Sequence, residues 1–178
     1  MLYLIRHGQT DLNKQHRWNC QADEDINAEG IRQAEAAADA VAELPIDLIM
    51  CSPLIRTRHT CEIVNRNHVP VIYDDRLKER CGGVITGQPY EAYDRDLYYN
   101  LNTKDIPEGM EPLGEFMGRV HEVLDEIKEK YRDKNVLLVT HGGVSRCVKY
   151  YFEPVPPDGA INKDSSTRNC EIKSYEFL

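Results

Sequence analysis

Two histidines and two arginines stand where short apolar runs end. Arg6, His7 and Gly8 follow the run at residues 2–5, Ser52 and Arg56 follow the run at 47–50, and His141, Gly142 and Gly143 follow the run at 136–140. If these runs are strands of an open α/β sheet, ligands sit beyond their carboxyl ends. Two imidazoles and two guanidiniums gathered there, beside the N–H groups of helix starts, would make a positive pocket suited to a phosphate-like anion. Each residue alone has a plainer reading. An isolated histidine after a strand is more often structural, Arg56 by itself reads as a surface ion pair, and Ser52-Pro53 is ordinary turn chemistry. Their coincidence at three equivalent ends argues for the site.

The elements that must position these residues alternate as in βαβ units. Strands are expected at 2–5, 47–50, 71–73 and 136–140, with a half-buried last strand at 171–177. Asn27 is the expected N-cap of a helix running to about Leu44, where Pro45 stops it. Further helices are expected over 55–65 and over 113–130, the latter presenting Phe116, Val120, Val123, Leu124 and Ile127 on one face. A last helix should begin near Val144, after the glycine pair. Residues 81–112, with Gly82, Gly83, Gly87, Gly109 and three prolines, are the least regular stretch, with a short helix expected around 91–99. Loops of this length are often covers over a site.

Bulk properties narrow the function. The 178 residues suit one domain spanning 1–178, which at this size buries roughly 70% of its unfolded surface. A net charge of −8 disfavours nonspecific binding to nucleic acid or anionic membranes, so a small anion would need a local basic cluster. No signal segment or membrane-spanning run is visible, which points to the cytoplasm. The six cysteines show no C-x-x-C spacing and read as free thiols rather than a zinc site. A metal hydrolase built from His7, His59, His68 and His141 is a weak reading, because His59 and His68 lie on or just after a helix, away from the strand ends.

The motifs resemble the histidine phosphatase superfamily, which includes cofactor-dependent phosphoglycerate mutases. Arg6-His7-Gly8-Gln9-Thr10 with Asn13 is similar to its R-H-G-[EQ]-[ST]-x-x-N signature; Ser52-Pro53-Leu54 with Arg56-Thr57, Leu77-Lys78-Glu79 with Gly83 and Gly87, and Thr140-His141-Gly142-Gly143 match three more segments in the same order. The resemblance covers nearly the whole chain. It implies an α/β fold, a single-domain three-layer αβα sandwich around a central, mostly parallel mixed sheet. It also implies that His7 is the nucleophile and Glu79 the general acid and base. Arg6, Arg56, Asn13, His141 and the Gly142 backbone would hold the phosphoryl oxygens. No metal or cofactor is implied, because arginine and histidine supply the positive charge. A nucleophilic imidazole must be neutral, and Arg6 and Arg56 should keep it so.

Within that family a phosphatase is expected rather than a mutase. Mutases carry a longer insert than residues 88–112, a glycine where this chain has Cys20, and a tyrosine where it has Gly82. Retaining the phosphoryl group requires excluding water, and this pocket reads as smaller and wetter. A small phosphorylated metabolite is the expected substrate, with a monomer or a homodimer equally compatible. A catalytically silent phosphate-binding module is the competing class, but all five residues His7, Arg6, Arg56, Glu79 and His141 are present. Tyr90, Tyr93, Tyr98 and Tyr99 could line the substrate mouth or pack the outer face of the sheet. Trp18 could stack on substrate or be structural, and Arg80 could extend the pocket or pair with a surface acid.

Overall fold

Alternation along the first strand sends Leu2 and Leu4 to one face of a sheet and Tyr3 and Ile5 to the other, so the strand must be covered on both sides. The computed structural model describes residues 1–161 and 167–177. Its elements run β1 (Leu2–Arg6), α1 (Asp11–Lys14), α2 (Ala28–Ala42), β2 (Leu48–Cys51), α3 (Ile55–Val64), β3 (Val71–Tyr73), α4 (Arg95–Tyr98), α5 (Leu113–Lys130), β4 (Val136–Thr140), α6 (Gly142–Phe152) and β5 (Ile172–Tyr175). The strand order is β3-β2-β4-β1-β5. The first four strands are mutually parallel, and β5 alone runs antiparallel, against β1. This is the expected α/β sandwich.

Each face has its own core. On one side Leu2, Leu4, Met50 and Leu138 pack with Phe116, Val120, Val123 and Leu124 of α5 and Val144 and Val148 of α6. On the other, Ile5, Ile49, Leu137 and Val139 meet Ala34 and Val41 of α2 and Cys61 and Val64 of α3. Val136, Leu137, Leu138, Val139 and Thr140 of β4 are all fully buried, as a central parallel strand requires. Register then decides the site: Arg6 pairs with Thr140 and Cys51 with Val139, so β1, β4 and β2 end side by side. The ladder runs one residue past each strand, with His7 N donating to Thr140 O (2.9 Å) and Ser52 N to Val139 O (3.1 Å).

Asn27 caps α2 through a bond from Gly30 N, as its position suggested. Three elements differ from expectation. The last helix starts at Gly142 with His141 as its N-cap, two residues earlier than the glycine pair suggested, because those glycines form its first turn. The expected helix over 91–99 is split into a 3-10 turn (Tyr90–Ala92) and α4, since Asp94 caps the N–H groups of Asp96 and Leu97 and so restarts the helix. The short α1 was not anticipated. It is set by a Thr10–Asn13 capping box whose third residue is Asn rather than the usual Glu or Gln.

Residues 81–111 leave the sandwich and return. Their neck is closed by a Gly82–Met110 bridge and a bond from Glu111 N to Cys81 O (3.0 Å). The excursion lies along the segment after α1, with Trp18 N donating to Gln88 O (2.8 Å) and Gly87 N to Trp18 O (2.7 Å). Among the described residues, no helix is long and apolar enough to cross a membrane.

The turn after His7 depends on close backbone contact. A Cβ on Gly8 would lie 2.5 Å from Gly30 O, and one on Gly30 would overlap Gln9 O. Gly30→Ala should therefore cost about 1–3 kcal/mol of stability in urea unfolding through overpacking. Gly118→Ala in α5, where a Cβ meets nothing, should instead gain about 0.5–1 kcal/mol.

Candidate active site

The β1 end delivers His7 with its tautomer already assigned. His7 Nδ1 lies 2.7 Å from Gly8 O, which can only accept, so Nδ1 carries the proton and Nε2 keeps the lone pair. Asn169 Nδ2 donates to His7 O at 2.8 Å and holds the backbone from the far side. The His7 ring is buried. Burial first, then Arg56 and Arg6, hold its pKa well below 6.5, so the ring is neutral near pH 7. The two arginines act as the sequence suggested; the larger cause, burial, is a tertiary effect.

The β4 end places His141 beside it, with ring centroids 5.3 Å apart. His141 Nε2 lies 2.8 Å from Ser52 Oγ at the β2 end, and its Nδ1 has no partner among the described residues. Burial, Arg56 and His7, in that order, lower its pKa as well.

A cleft lies over these strand ends. Of the expected residues, Arg6, His7, Asn13, Arg56, Glu79 and Gly142 line it, while His141 sits behind the wall. Glu79 bridges two elements: Oε2 accepts from Gly143 N (2.8 Å) at the start of α6 and Oε1 from Arg80 N (2.9 Å). A Cβ at residue 143 would overlap Glu79 Oε1, so a side chain there would push the carboxylate out of this position. Asn13 Oδ1 is engaged with Thr10 N and Asn169 Nδ2, leaving its own amide N–H groups.

Arg56 is placed differently from a simple clamp. Its Nη1 and Nη2 donate to Ala22 O and Cys20 O, both at 2.6 Å, so two of its five donors order the loop that forms one wall. Burial lowers its pKa to about 10, and it stays charged at neutral pH. Cys20 on that wall has φ of 42°, a left-handed conformation that favours glycine. Arg6 donates Nη1 to Thr167 O at 2.8 Å.

Sequence reasoning missed Arg146, Arg95 and Asn19, all of which line the cleft. Arg146 had a usable signal: it lies one turn after Gly142 on α6, donates to Gly142 O (3.0 Å) and stacks over Tyr99 at 4.4 Å. Arg95 and Asn19 come from irregular segments and had none. Tyr90, Tyr98 and Tyr99 line the cleft, whereas Tyr93 turns to Asp105 O. Trp18 lines it too, packed between Tyr90 (5.2 Å) and Tyr98 (4.3 Å). Arg80 is buried, donates to Glu111 O and Tyr98 O, and does not enter the cleft. His59 pairs with the Asp25 carboxylate at 3.0 Å, away from these residues.

The distribution of unpaired polar atoms is the sharpest feature. Among the described residues, the buried side-chain atoms without a partner are Nε of Arg6, Arg56 and Arg146, Trp18 Nε1, Asn19 Oδ1 and His141 Nδ1. Five belong to residues lining the cleft, and the sixth lies directly behind it. A buried donor without an acceptor costs about 1–3 kcal/mol, so concentrating four N–H donors from three cations and an indole in one place suits an anion.

The family model described as histidine phosphatase superfamily (branch 1) matches residues 2–177. A protein named uncharacterized phosphatase PhoE from Bacillus subtilis is 38% identical over 140 residues, covering 78% of this chain and 70% of its own. A probable phosphoglycerate mutase, GpmB, from Escherichia coli is 31% identical over 99% of this chain and 84% of its own. Among solved structures, a mycobacterial glucosyl-3-phosphoglycerate phosphatase complexed with VO3 superposes with a TM-score of 0.83 at 26% identity, covering 96% of this chain and 90% of that one. A phosphoglycerate mutase from Thermus thermophilus gives 0.71 at 31% identity, covering 89% and 86%.

Two buried neutral imidazoles carry a stability signature. Each is protonated in the unfolded chain below about 6.5 but not in the native state, so the unfolded state binds more protons and stability falls as pH drops below that value. The expected slope is up to about 1.4 kcal/mol per pH unit for each ring between pH 6.5 and 5.5. Urea unfolding should show it, and His141→Gln should remove about half.

Proposed function

Because this chain belongs to the histidine phosphatase superfamily, we propose that it hydrolyses a small phosphomonoester in the cytoplasm through a phosphohistidine at His7. The observation that carries the reading is a neutral His7 with a free Nε2 lone pair, beside unpartnered guanidinium Nε atoms of Arg6, Arg56 and Arg146.

Nε2 of His7 attacks phosphorus as the ester P–O bond breaks, and Glu79 gives its proton to the leaving oxygen. Water then attacks the phosphohistidine and loses a proton to Glu79 as the P–N bond breaks, restoring the neutral imidazole. Arg6, Arg146, the unpartnered Nε of Arg56, the Asn13 amide and the Gly142 end of α6 bind the phosphoryl oxygens as charge develops. His141, anchored on Ser52, lends its unpartnered Nδ1 side to the same end of the sheet. The VO3 complex of the mycobacterial phosphatase is in keeping with a phosphoryl-like anion on this fold. Mutase-named relatives support the second reading, phosphoryl transfer between sugar-acid positions, while the relatives named as phosphatases favour hydrolysis.

Incubation with a ³²P-labelled phosphomonoester and an acid quench series should give acid-labile, base-stable label on the wild type. His7→Asn should show none, with kcat down on the order of 10³-fold or more. Label persisting in that variant, or hydrolysis that chelators abolish, would overturn the proposal. Isomerisation of 3-phosphoglycerate faster than its hydrolysis would decide for the mutase.

A further inference from the structure

Glu79 sits on a backbone stretch with little regular structure of its own. It follows the 3-10 turn Asp75–Leu77 and precedes the irregular excursion, yet its carboxylate must stay at the first turn of α6. An acid group displaced by even 1 Å loses much of its effect, so something rigid has to hold this backbone.

Gln21 Nε2 donates to Glu79 O (2.8 Å) and Thr140 Oγ1 to Leu77 O (3.2 Å), but one side chain reaches three of these carbonyls at once. From the second turn of α5, Arg119 Nη1 donates to Arg76 O (2.6 Å) and Lys78 O (2.8 Å), and Nη2 to Glu79 O (3.2 Å). The same guanidinium pairs with Glu111, Nε to Oε1 at 2.7 Å and Nη2 to Oε2 at 2.9 Å. Its Cζ lies over the ring of Phe116, a fully buried residue of α5, 4.7 Å from the centroid. Glu111 in turn accepts from Cys81 N (3.2 Å) at the neck of the excursion. A planar fork with fixed donors can serve three carbonyls and a carboxylate at once; a lysine ammonium cannot. Arg119 does not line the cleft.

We infer that Arg119, backed by Glu111, is a positioning residue: it clamps the backbone at residues 76–79 so that the Glu79 carboxyl group meets the leaving oxygen. This rests on the acid/base role proposed above for Glu79. Loss of the clamp hurts proton delivery rather than phosphate binding, and it hurts most when the leaving group is poor.

The test compares wild type, Glu79→Gln, Arg119→Met, Arg119→Lys and the Glu79→Gln/Arg119→Lys double variant on aryl phosphates from p-nitrophenyl to phenyl phosphate, with circular dichroism and the inhibition constant for inorganic phosphate as controls. Glu79→Gln should steepen the dependence of kcat/KM on leaving-group pKa, costing on the order of 10²-fold or more for phenyl phosphate. Arg119→Lys should steepen it in the same direction, about tenfold for phenyl and about twofold for p-nitrophenyl phosphate, with phosphate inhibition within about twofold of wild type. Arg119→Met should behave likewise or more severely; if it does not fold, the lysine variant decides. The double variant should match Glu79→Gln alone. A uniform loss across the series, or a double variant showing the product of the two single effects, would overturn the positioning role. A flat leaving-group dependence in Glu79→Gln would instead overturn the acid role itself.

Discussion

The proposed reaction makes one electrostatic demand on which the site depends. A histidine that is to attack phosphorus must be uncharged, while the groups that receive the phosphoryl oxygens must be cationic, and both have to occupy the same small volume. Here burial and guanidinium charge act in the same direction on His7, each disfavouring its imidazolium. The same burial penalises the arginines, and burial is the largest influence on both Arg6 and Arg56. The Glu79 carboxylate opposes that penalty for both, and backbone carbonyls of residues 20, 22 and 167 take part of their hydrogen-bonding capacity. What remains unpaired among the described residues is chiefly a group of buried N–H donors on residues that line one cleft.

The sheet makes this arrangement affordable. Parallel β1, β4 and β2 end in register, so three short polar sequences far apart in the chain emerge side by side. Their strands are held from both sides by apolar helices, which places the chemistry at the rim of two rigid cores and not on a free loop. Close approaches at Gly8, Gly30 and Gly143 complete the rim: a side chain at Gly8 or Gly30 would force apart the backbone of residues 8–9 and 30, and one at Gly143 would displace the Glu79 carboxylate.

The excursion over residues 81–111 gives the cleft its aromatic side. Tyr98 and Tyr99 belong at once to the core and to the lining, and Trp18 and Arg80 pack against the Tyr98 ring. The two sequence-based readings of the tyrosines were therefore not alternatives in space, because this wall of the cleft is itself part of a core.

Residues whose role follows from strand ends and local motifs were legible in the chain itself: the parallel α/β pattern, the strand positions, the Asn27 cap, and His7, Arg6, Arg56 and His141 as one group. Such features depend on periodicity and on position relative to a strand terminus, which are properties of neighbouring residues. The family resemblance added Glu79, Asn13 and Gly142. Only the tertiary structure showed that Arg56 spends two donors on the loop at residues 20–22, that Arg95 and Asn19 join the cleft, and that burial outweighs charge in keeping His7 neutral. Likewise Arg119 reads as an ordinary charged position on an amphipathic helix until folding brings the carbonyls of residues 76, 78 and 79 to it. Desolvation and long-range hydrogen bonds depend on which segments meet across tens of residues, and no local pattern in the chain encodes that.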